Sequence, residues 1–88
     1  MKNSLQWPMA SIGNGQAAVV LEIPVLPQEA DPVARTLRQR GIYVTALHNH
    51  ELFIEPDLYY LHGFGTGGPL ELARAVRAAL NHTDSKFQ

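Results

Sequence analysis

Three of the four histidines in this 88-residue chain, His48, His50 and His62, lie close together in the sequence. Neutral imidazole nitrogens are common ligands of divalent transition metals, and three of them leave a coordination position for water or a carboxylate. His48 and His50 are two residues apart, so on a β-strand they project from the same side. If a hairpin brings His62 opposite them, the pattern predicts a three-histidine metal site, with Zn²⁺ among the metals that it suits.

The same histidines have other interpretations, which the sequence leaves open. They could hydrogen-bond inside the core, line a subunit contact, or help to hold a small ligand without any metal. A bound metal with an open position would instead activate water for a hydrolase-like reaction. The candidate general bases for that reaction are Glu22, Glu29 and Glu51.

The bulk composition limits the remaining classes of function. Residues 1–88 are expected to form one domain, with 1–8 and 82–88 loosely ordered, and the core of so short a chain is thin. The chain has no cysteine, so a metal or self-association remains as added support. A net charge of −1 gives no general attraction to nucleic acid or anionic membranes. Without an apolar span or a signal peptide, the chain is expected to be cytoplasmic.

Turn signals and periodicity in the first half predict two strands and a helix. Asn14-Gly15 is typical of a two-residue hairpin turn, here between strands over 9–12 and 17–25. Asp31-Pro32 suits a helix start, with Asp31 as N-cap and proline at the first helical position. Gly41 is typical of the residue that follows a helix end.

The second half repeats this order. Strands are predicted over 42–53 and 58–64, joined by a loop at 54–57. The glycine-rich segment at 63–68 is expected to be a turn, because no βαβ unit surrounds it to form a dinucleotide site, and Pro69 then begins the second helix. The predicted fold is therefore α+β with the order ββαββα, a four-stranded antiparallel sheet with two helices packed on one face.

The alternation of side chains along the strands also predicts which face of this sheet meets the helices. The residues that share a side with His48 and His50 are apolar, so that face is expected to meet the helices and to place the histidines at the rim of the core. The opposite face is then expected to be exposed and apolar, which predicts a homodimer. Its contact residues would be Tyr43, Phe53, Tyr59 and Leu61.

The segment Gly41–His50 reads Gly-Ile-Tyr-Val-Thr-Ala-Leu-His-Asn-His, and an aromatic strand leading to His62 and an alanine-rich helix at 72–80 follow it. Over roughly residues 17 to 80, this pattern resembles the LppY/LpqO family, bacterial proteins built on a domain of unknown function. Typical members contain two related halves, so the resemblance implies that a single half pairs with itself.

The resemblance brings no established activity. Many members are exported or lipoproteins, but this chain shows no signal or lipobox cysteine, so that localisation does not carry over. Family members have Gly-Asp where this sequence has Leu21-Glu22, so a carboxylate is kept with a side chain one methylene longer.

Overall fold

The computed structural model describes residues 5–48 and 59–83, and for residues 46–48 it describes the backbone alone. The order of elements is ββαββα, so the predicted α+β fold is confirmed. The elements are β1 (Met9–Gly13), β2 (Gln16–Val25), α1 (Pro27–Gln39), β3 (Tyr43–His48), β4 (Tyr59–Gly67) and α2 (Pro69–Leu80).

The four strands form one antiparallel sheet in the order β1-β2-β4-β3. β4 therefore lies between β2 and β3, with a hydrogen-bonded strand on each side. Both helices pack on one side of this sheet, and we call the opposite side the open face. Among the described residues, neither helix is long and apolar enough to cross a bilayer. The core lies between the sheet and the helices and includes Val19, Leu21, Ile23, Val33, Leu37, Leu61, Val76 and Leu80.

The N-terminal hairpin forms where the sequence predicts it. Asn14 and Gly15 have φ angles of 57° and 74°, the positive values that a tight two-residue turn requires. Before β1, the chain continues alongside β2: the Gln6 N–H donates to the Glu22 carbonyl at 2.9 Å, and the Glu22 N–H donates to the Gln6 carbonyl at 2.8 Å. The backbone of β2 is therefore held on both sides at Glu22.

Helix α1 begins at Pro27 and not at Pro32, five residues earlier than predicted, so the prediction of Asp31 as N-cap is wrong. Pro27 occupies the first helical position after Leu26. The buried Glu29 carboxylate accepts the Leu26 N–H at 2.8 Å, while the Glu29 N–H donates to the Leu26 carbonyl at 2.9 Å. This reciprocal pair stabilises a start at Pro27, so Asp31-Pro32 lies inside the helix.

The end of α1 at Gly41 is confirmed. Gly41 has a φ of 83°, and its N–H donates to the Arg38 carbonyl at 3.1 Å. The next N–H, of Ile42, donates to the Leu37 carbonyl at 2.9 Å, which completes a Schellman motif. The motif turns the chain so sharply that Ile42 enters the core directly after the helix.

The glycine-rich segment is not the turn that was expected, because β4 continues to Gly67 before Pro69 begins α2 as predicted. Gly63 and Gly65 face the helices and lie beneath Ile42. A Cβ atom on Gly65 would lie 2.8 Å from Cγ1 of Ile42 and 3.5 Å from Cδ2 of Leu72. Glycine at these positions therefore makes room for the side chains that close the core.

We expect Gly65→Ala to destabilise the domain by about 1–3 kcal/mol, the usual cost of overpacking a filled core. The added methyl group has no space beside Cγ1 of Ile42. Urea unfolding followed by circular dichroism would measure the change in free energy. In an Ile42→Ala background, which removes the opposing atom, Gly65→Ala should cost much less. Equal costs in the two backgrounds would contradict this account of the contact.

A second prediction concerns Glu29, whose carboxylate bonds to the start of α1. Glu29→Ala should lower the free energy of unfolding by about 1 kcal/mol, because the part-buried Leu26 N–H loses its acceptor. Glu29→Gln keeps an acceptor and loses the charge near the helix N-terminus, so a smaller loss of about 0.3–1 kcal/mol is expected. Thermal and urea unfolding of the two variants would measure the difference. Equal stability of Glu29→Ala and the wild type would refute the capping role.

Candidate metal centre

His62 lies in β4 and is half-buried on the open face. Its neighbours Leu61 and Gly63 are buried against the helices, and side chains alternate along a strand, so His62 projects to the other side. The expectation that the histidine-bearing face meets the helices is therefore wrong for β4. The physical reason is that the space beneath the helices accepts Leu61 and the two glycines, but not Tyr60 or Phe64.

Glu22 is the cross-strand neighbour of His62. The register of β2 and β4 pairs the two residues directly. Leu21 and Ile23 on either side of Glu22 are fully buried, so Glu22 also belongs to the open face, where it is half-buried. Directly opposed residues of an antiparallel pair have Cβ atoms about 4.5–5.5 Å apart. The structure thus brings together two of the residues that the sequence analysis selected.

The backbone of His48 lies on the other side of β4. Val44 pairs with Gly63 and Ala46 with His62, so β3 holds one more residue than β4 in this interval, a β-bulge around Thr45. His48 then pairs with Tyr60, two residues along β4 from His62. The Thr45 hydroxyl donates to the His62 carbonyl at 3.3 Å and ties the bulge to the strand that carries the histidine.

The other candidates fall in different places. Glu29 lies in helix α1, in the layer on the far side of the sheet from His62, where it bonds to Leu26. His82 follows the end of α2 and is exposed. His50 and Glu51 lie outside the described residues. Among the side chains that the structure describes, those of residues 5–45 and 59–83, no three of histidine or acidic residues converge to form a metal-binding group.

The predicted dimer surface is wrong in two of its residues. Leu61 is fully buried in the core, and Tyr59 packs against the core. Tyr43 is exposed as predicted, and Phe53 lies outside the described residues. Among the described residues, the exposed apolar side chains of the open face include those of Val20, Tyr43 and Phe64.

Val20 and Phe64 were not among the residues predicted for an exposed apolar face. Val20 lies two positions before Glu22 in β2, and Phe64 lies two positions after His62 in β4. Strict alternation along β2, where Val19 and Leu21 are core residues, was the signal that could have placed Val20 on the open face.

Comparisons with known proteins add a family. Searches of curated proteins and of solved structures gave no match. The family model described as Domain of Unknown Function (DUF1259) matches residues 2–82, which include every strand and helix described above as well as Glu22, His48 and His62. The chain therefore belongs to the DUF1259 family of domains of unknown function.

Proposed function

We propose that this domain binds a divalent metal ion on the open face of its sheet, with His62, His48, His50 and Glu22 as ligands. The observation that carries the proposal is the register at the middle of the sheet. Glu22 is directly opposite His62 on one side of β4, and His48 pairs with the residue two positions from His62 on the other side.

The chemistry of these donors fits a transition metal. Imidazole nitrogen together with carboxylate oxygen is a common ligand set for Zn²⁺, and it also suits Mn²⁺ and Fe²⁺. Glu22 and His62 are half-buried, so water screens their interaction with a cation less than it would on a fully exposed surface. The donor types and the partial burial of these two side chains both favour the binding of a metal ion.

The backbone supports the same proposal. Glu22 and His62 lie on β2 and β4, the two inner strands of the sheet, and Glu22 is also held by Gln6 through two backbone hydrogen bonds. Ligands on rigid inner strands are held in place before the metal arrives, which lowers the entropy lost on binding. The bulge around Thr45 sets the register of the β3 residues that follow it. It thereby sets the position along β4 at which His48 would supply a ligand to the metal.

We assign Glu22 to coordination and not to general-base catalysis, because a carboxylate directly opposite a histidine ligand is placed to share its metal. This assignment makes the domain a metal-binding module. The resemblance to the LppY/LpqO family supports it, since Glu22 stands where that family has an aspartate. We accordingly propose that this domain is LppY/LpqO-like.

The proposal predicts that untagged protein binds one Zn²⁺ per chain in isothermal titration calorimetry. His62→Ala and Glu22→Gln should each weaken binding by about 100-fold or more, because losing a direct ligand should exceed the ~10–100-fold cost of losing an outer-shell partner. Co²⁺ absorption would report whether imidazole nitrogens enter the coordination sphere. His82→Ala is the matched control, because it removes an exposed histidine at the end of α2, and it should bind like the wild type.

Circular dichroism of each variant would establish that the fold is retained, which is expected because both side chains lie on the open face, outside the core. The absence of Zn²⁺ binding by the wild type would refute the proposal. Unchanged affinity in His62→Ala would refute it equally, because the centre is built around that residue.

A further inference from the structure

A row of exposed apolar side chains crosses the open face next to the proposed metal centre. Val20 pairs with Phe64 in the β2–β4 register, and Tyr43 pairs with Phe64 in the β3–β4 register. The exposed fractions of Val20, Phe64 and Tyr43 are 54%, 42% and 73%. Single exposed apolar residues are ordinary, but three neighbours in one cross-strand row form a contiguous patch of the kind found at interaction sites. We call these three residues the apolar row.

The open face is large enough for a protein contact. The four strands have 5, 10, 9 and 6 residues, and each residue covers about 4.8 Å by 3.4 Å of the sheet. The face therefore covers roughly 500 Å² in one copy and roughly 1,000 Å² in two, which is about the minimum for a biological interface.

We propose that the occupant of this face is a second copy of the same chain, packed sheet against sheet. The register is the reason for choosing a second copy. Val20 and Phe64 are one directly opposed pair between β2 and β4, and Glu22 and His62 are another. A two-fold axis that runs between these strands, parallel to them, exchanges the members of both pairs at once. It places Val20 over the partner's Phe64 and Glu22 over the partner's His62.

In this arrangement both the apolar row and the polar pair of Glu22 and His62 meet complementary side chains of the second copy. The apolar side chains of one copy cover those of the other, at the separation of about 10 Å that is usual for packed sheets. The carboxylate of Glu22 comes to lie over the imidazole of the second copy's histidine and not over another carboxylate, so like charges do not face each other. The inference goes beyond metal binding, because the apolar contact needs no metal, and it adds that two centres would be enclosed together between the sheets.

Sedimentation velocity of the untagged full chain over a wide concentration range, with and without Zn²⁺, tests the inference. The wild type should show a concentration-dependent dimer. Val20→Thr and Phe64→Thr keep residues that suit strands and should raise the dimer Kd by about tenfold or more, because each change acts twice in a symmetric contact. Leu70→Gln is the matched control: Leu70 is 58% exposed but lies in the first turn of α2, and the Kd should not change.

Two outcomes would overturn the inference: a wild type that stays monomeric at all concentrations in both conditions, or apolar-row variants that dimerise like the wild type. Zn²⁺ titration of the wild type and of Phe64→Thr tests metal binding independently of dimerisation, so a failure of one proposal can be distinguished from a failure of the other. A monomeric wild type that binds Zn²⁺ would refute the dimer and leave the metal centre intact. A dimer sensitive to Phe64→Thr in a protein that binds no Zn²⁺ would support the dimer and refute the metal centre.

Discussion

The contact between Ile42 and the glycines of β4 constrains the whole domain. Neither Gly63 nor Gly65 has room for a larger side chain, because backbone and side-chain atoms, those of Ile42 among them, already occupy that space. β4 must therefore turn these residues toward the helices. Since strand side chains alternate, the same choice sends His62 to the opposite side of the sheet. A packing requirement in the core thus determines on which surface the domain presents His62.

The features that could be predicted from the sequence are those that local chemistry decides. Asn14-Gly15 forms its turn because few other dipeptides accept two positive φ angles. Gly41 ends α1 because the left-handed conformation there suits glycine, and Pro69 begins α2 because the first helical position needs no N–H. Together with the apolar periodicity between these points, such signals were sufficient for the order of elements and the α+β class.

The sides of the sheet could not be predicted in the same way, because they depend on contacts between distant residues. Glycines such as Gly63 and Gly65 are typical of a turn when only the local sequence is considered. They lie in a strand because the distant residue Ile42 packs directly against them. No residue type around Thr45 signals a bulge, yet the bulge changes which residues of β3 are opposite those of β4. The start of α1 was misplaced for a related reason, since Glu29 acts through a reciprocal bond with Leu26 that competes with the Asp31-Pro32 signal.

The bulge around Thr45 also has an evolutionary consequence. Deleting the extra residue of the bulge would leave every later position of β3 opposite its present partner in β4. Deleting one residue after the bulge would instead move the later positions to the other face of the sheet. A change in length by a single codon could thus move the segment that carries the proposed ligand His48 to the other face without altering any of its amino acids. Length variation at this point should accordingly be more informative about divergence within the family than substitution of the residues that follow it.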